Sequence, residues 1–284
     1  MITKDKIELS WYLAICFGAS FVLAFFFWNE REPSSIYNSL ILALPGVTAL
    51  AIYQIRIGNI FLKNGALGLT LKGFKYWFWA PAFVTLLCFL SYGISVGLHP
   101  TLLKSKEEIV TALTESGFYY GNIGVGAAAI ILINASLGSL VTLPMYLGQE
   151  LGWRAFMQPI LLKSSRPFLA FLVGGAIWGV WSFFFLDLPL DFSTSTVVSL
   201  GLRILFFIPA GILFYYFYSK SQSIFAAALA HAALQQSVES TSLFLKIDDS
   251  NSHWNGPFGM VGIILFWLVA LLLLNNKNWL THTL

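Results

Sequence analysis

Charge is scarce in this chain. Of 284 residues, 10% are Asp, Glu, Lys or Arg and 57% are hydrophobic, where a soluble domain carries about 25% charge. So little polar surface excludes a protein that stays dispersed in water. Cysteine is almost absent. Cys16 and Cys88 both stand in apolar runs, which reads as packing and excludes a disulfide framework or a cysteine metal site. The net charge of +3 is scattered. No basic stripe forms, which excludes nucleic-acid binding. Long linkers, low-complexity tracts and internal repeats are lacking too, so one domain over 1–284 is the simplest organisation.

What the chain has is apolar runs of about 20 residues, long enough for a hydrocarbon core of about 30 Å. The predicted spans are 11–28, 36–55, 76–96, 123–147, 167–186, 199–219, 223–245 and 258–275. The fold class is therefore all-α, a polytopic membrane protein of about eight transmembrane helices. Lys4 and Lys6 precede the first run, but no small-x-small cleavage site follows it, so it reads as a retained helix. Segment 56–75, with Lys63, Lys72 and Lys75, reads as lying along the membrane surface. Segment 102–116, with Glu107, Glu108 and Glu115, reads as a polar connector.

Lys and Arg are unequally divided between the two sides. One side takes Lys4, Lys6, Arg56, Lys63, Lys72, Lys75, Lys163, Arg166, Lys220 and Lys277. The other takes Arg31, Lys104, Lys106, Arg203 and Lys246. Ten against five, with Arg154 set aside as intramembrane, predicts cytoplasmic termini.

Ionisable groups inside a membrane are costly and mark function. Three places qualify. In Gln149-Glu150-Leu151-Gly152-Trp153-Arg154, the Glu150 and Arg154 side chains stand i,i+4 and can pair. His231 lies in an alanine-rich run, with Gln235 and Glu239 following on roughly one face. Of the four histidines it alone is placed inside the membrane, too few ligands for a metal site. The third place is Trp178-Gly179-Val180-Trp181-Ser182, followed by Asp187. A helical hairpin with legs of about 20–23 Å on either side of 163–167 brings Gln149 level with Ser182. Pro144 is a candidate kink before it.

In this order and spacing the three places resemble the CAAX-protease and bacteriocin-processing family of intramembrane proteases (CPBP, or Abi). That family carries Glu-Glu-x-x-x-Arg, then Phe-x-x-x-His on the next helix, then His-x-x-x-Asn two helices on. Here the motifs read Gln149-Glu150-x-x-x-Arg154, Trp178-x-x-x-Ser182 and His231-x-x-x-Gln235. The motif-bearing core is 123–240. The resemblance implies a CPBP-like helical bundle and an intramembrane endopeptidase that activates water with the first Glu and first His. It implies an oxyanion hole from the second His and the Asn, here His231 and Gln235, with Glu150 and Arg154 as supporting groups. Trp153, Trp178 and Glu239 are candidate substrate contacts.

The departures fall on the water-activating positions. An amide at 149 cannot act as a general base, and the serine at 182 is a poor one. Three rescues are open. Glu150 could act as base, Ser182 could be a nucleophile served by His231, or Glu239 could swing in. The leading expectation is a protein with lost or reduced proteolysis that binds a peptide or partner helix in its cavity, in a bacterial cell membrane, as in bacteriocin immunity or scaffolding. An active divergent endopeptidase and a small transporter are the alternatives. Membrane lipid is the surrounding partner, and no cofactor or metal is expected.

Overall fold

In the computed structural model, residues 4–27, 35–57, 66–183, 194–246 and 253–282 are described. Eleven α-helices follow in order: α1 (Lys4–Phe26), α2 (Ser35–Ile57), α3 (Lys75–Leu98), α4 (Lys106–Glu115), α5 (Ile123–Ile133), α6 (Ser139–Glu150), α7 (Gln158–Ser164), α8 (Pro167–Trp181), α9 (Thr194–Ser221), α10 (Ile224–Ser242) and α11 (Met260–Asn275). Among the described residues there is no strand, only an isolated antiparallel bridge between Leu103 and Leu245. Asp187, Arg31 and Lys63 lie outside the described residues.

The helices are arranged for a lipid surround. Along α1 the inward face is Glu8, Tyr12, Cys16, Ser20 and Ala24, spaced by four. Trp11, Ile15, Phe21, Val22 and Phe25 point outward and are exposed. A water-soluble helix shows the reverse pattern. In hydrocarbon the large apolar side chains are content outside, and the small or polar ones let helices meet. Among the described residues five helical runs are long and apolar enough to cross a membrane, and α8 and α11 are shorter apolar helices. This is an integral membrane protein. The span expected at 223–245 forms α10, which differs in kind: it is rich in Ala, Gln and Ser and sits inside the bundle, packed on α3, α6 and α9.

The span expected at 123–147 and the hairpin leg run together. Residues Ile123–Ser164 form one helical run of 42 residues, about 63 Å if straight. Pro144 lies inside α6. The departures from α-geometry flank that helix, as π turns at Asn134–Gly138 and Leu151–Met157. A π turn inserts a residue and re-aims the side chains beyond it, and such turns are frequent at functional sites. The second one carries Trp153 and Arg154.

Glycine pairs set how closely the helices approach. Gly148 and Gly152 share one face. A Cβ on Gly148 would stand 3.1 Å from the Ala43 Cα, and one on Gly152 would stand 2.6 Å from the Pro45 carbonyl carbon, both on α2. Gly175 and Gly179 do the same on α8, where a Cβ would stand 2.4 Å from the Ile208 Cα or 2.7 Å from the Ile204 Cα of α9. Both cysteines are buried and free. Outside the bundle the 102–116 connector contains α4, opened by a capping box from Ser105 to Glu108.

Candidate active site

With Gly148 and Gly152 fixing one face of their helix on α2, the opposite face carries Glu150 and Arg154 into the interior. Glu150 is 0% exposed and Arg154 is 3% exposed. Arg154 Nε lies 3.1 Å from Glu150 Oε2. The contact is an ion pair, not an aligned hydrogen bond. The guanidinium carbon sits 3.8 Å above the Trp178 ring, so an aromatic face replaces part of its lost hydration.

The other Glu150 oxygen reaches α10. His231 Nδ1 lies 2.8 Å from Glu150 Oε1. This carboxylate therefore joins the first and third motifs, a link between residues 81 apart in sequence that spacing alone does not reveal. Glu150, paired with Arg154, is the acceptor, so Nδ1 carries the hydrogen. Neutral His231 is left with its Nε2 lone pair on the remaining side of the ring. In that tautomer His231 accepts from the cavity, and it becomes a donor only as the imidazolium. Tyr146, Trp178 and Phe214 pack round the imidazole at 4.6, 5.2 and 5.4 Å between ring centroids.

Gln149, Ser182, His231 and Gln235 line one cavity of about 50 Å³. The hairpin geometry thus places Gln149 and Ser182 on the same space. The cavity has room for a few waters or a single carbonyl group. Its other walls are Leu234 and the aromatics Tyr146, Trp178, Trp181, Phe207 and Phe258. Sequence reading passed over Tyr146, although it sits three residues before Gln149 on the same helical face. Phe207 and Phe258 come from helices or turns with no motif, and nothing local marks them.

Each water-activating position is already bonded to protein. Trp178 Nε1 donates to Gln149 Oε1 at 3.1 Å. Ser182 Oγ donates to the Gly179 carbonyl at 2.6 Å, the ordinary back-bond of a helical serine. Trp181 Nε1 donates to Ser20 Oγ at 2.8 Å, tying α8 to α1.

The remaining candidates stand elsewhere. Glu150 is not part of the cavity lining. Glu239 is exposed and accepts from Gln236 Nε2 at 3.3 Å, and it too is outside the lining. Trp153 is buried edge-on against Tyr12 and Trp181. With Arg154, Gln158 and Gly174 it borders a separate space of about 10 Å³, the size of one water. Among the described residues no group of three His, Cys, Asp or Glu is placed to hold a metal ion.

No curated protein matches the chain. Residues 130–236 match the model of a family described as type II CAAX prenyl endopeptidase Rce1-like. That stretch begins in α5 and ends in α10, and so holds all three motifs. Over residues 130–236 this integral membrane protein is similar to the Rce1-like CAAX prenyl endopeptidase family.

Proposed function

We propose that this protein binds a peptide or a partner membrane helix in its cavity, with hydrolysis lost or strongly reduced. The observation that carries this reading is the pair at the water-activating positions. Gln149 has no basic oxygen, and its carbonyl already accepts from Trp178. Ser182 has no imidazole, and its hydroxyl is spent on Gly179. Neither group can take a proton from water at neutral pH. Glu150, the remaining carboxylate, is committed to Arg154 and His231. Immunity to a peptide toxin or service as a scaffold in a bacterial membrane suits a site of this kind.

One observation favours a second reading. The Glu150–His231 pair resembles the carboxylate–histidine half of a catalytic triad, and Ser182 lines the same cavity. An active endopeptidase would have His231 as base, acting on water or on Ser182. Oγ would first have to leave the Gly179 carbonyl.

The test uses the purified protein in liposomes with a fluorescent prenylated peptide. The binding reading expects saturable binding and an intact peptide by mass spectrometry. Cleavage that stops on Glu150→Ala or His231→Ala contradicts it.

A further inference from the structure

The indole of Trp178 is closely packed and 1% exposed. Phe207 lies 4.0 Å away between ring centroids, and the Arg154 guanidinium carbon lies 3.8 Å from the ring centroid. Gly175 and Gly179 keep its helix pressed on α9. Its N–H meets Gln149 at 3.1 Å. An indole nitrogen only donates. The Gln149 atom facing it must therefore be the carbonyl oxygen, and the amide nitrogen must take the opposite position. Among the described residues the Gln149 side chain has no other hydrogen bond, and it lines the cavity. The two amide N–H groups are what it presents there.

The family motif has phenylalanine where this chain has Trp178, and phenylalanine has no N–H to give. The departures at 149 and 178 thus complement each other, acceptor to donor. We infer that Trp178 is a positioning residue that holds the Gln149 amide with its N–H groups toward the cavity, so that the site receives a neutral peptide group through its carbonyl. This rests on the binding reading above and names what is bound. Beside the Gln149 donor, His231 in its neutral form offers a lone pair for a peptide N–H. A carboxylate or phosphate would meet that lone pair with repulsion, so a neutral amide is the better match.

The experiment compares two fluorescent prenylated tetrapeptides in liposomes, one with its central amide and one with a trans-alkene in its place. The alkene keeps the shape and removes both polar groups. The wild-type protein is expected to bind the amide form about three- to tenfold more tightly, the worth of one hydrogen bond. In Trp178→Phe and in Gln149→Leu the ratio should fall below the wild-type value. If Trp178→Phe fails to fold, benzothienylalanine at 178 keeps the packing and lacks the N–H. A ratio of one in the wild type, or a ratio kept in a folded variant without that N–H, overturns the inference and leaves the binding reading standing. Binding of neither peptide to the wild type overturns both.

Discussion

Replacing Glu150 by glutamine removes one charge and preserves volume. The carboxylate is 0% exposed and serves Arg154 at 3.1 Å and His231 at 2.8 Å. Without it, Arg154 is a buried cation with, among the described residues, the Trp178 face 3.8 Å away and the more distant Phe214 ring beside it. Breaking a buried pair from one side costs about 3–5 kcal/mol. That is about a 10²- to 4 × 10³-fold shift toward the unfolded state. The amide can still face His231, so the loss comes from the orphaned guanidinium. Glu150→Gln with Arg154→Met removes both charges and keeps an apolar stem in place. It should recover to within about 1 kcal/mol of wild type, since swapping a whole buried pair for apolar groups is often neutral. Reversible unfolding in mixed micelles with rising denaturing detergent reads all four corners of the cycle. A single variant within about 0.5 kcal/mol of wild type, or a double variant costing the sum of the singles, would refute the pairing as the reason both charges tolerate burial.

Two further outcomes follow from the packing and the surface. Gly175→Val puts a side chain where even a Cβ would stand 2.4 Å from the Ile208 Cα, while Gly18 has nothing within 4 Å of such an atom. The first should destabilise by about 1–3 kcal/mol or more and Gly18→Ala should not, in the same unfolding assay. At the surface, the Ser105 backbone N–H, with Lys246 and the Ser105 hydroxyl, holds the Glu108 carboxyl down from 4.5 to about 2. Its folded value lies below its unfolded one, so its contribution is present above pH 4.5 and is lost as pH falls toward 2. An NMR titration of the carboxyl carbon should show the low midpoint, and Ser105→Pro, which deletes that N–H, should move it up.

Much of the bundle is legible in the sequence because a lipid surround imposes long apolar runs. Every predicted span has a helix on it, with the 167–186 span followed only as far as its described part. Glu150 and Arg154 are readable as a pair because four residues make one helical turn. The partnership of Glu150 with His231 is not, because it depends on how α6 and α10 lie against each other. The run through Pro144 is not either. Pro144 is a candidate kink in the sequence, and the π turns that flank its helix carry no sequence mark. The glycines were visible as letters, and their purpose emerges only with the neighbours that a Cβ would strike. Trp178 reads in the sequence as a candidate substrate contact, and its hydrogen bond to Gln149 is visible only in the structure.

The most direct measurement restores the missing chemistry. Gln149→Glu with Ser182→His puts a carboxylate and an imidazole on the cavity that already holds His231 and Gln235. In liposomes with a prenylated peptide, the account predicts an intact peptide with the wild type and cleavage products with the double variant. Cleavage by the wild type at a rate the double variant does not exceed would contradict it.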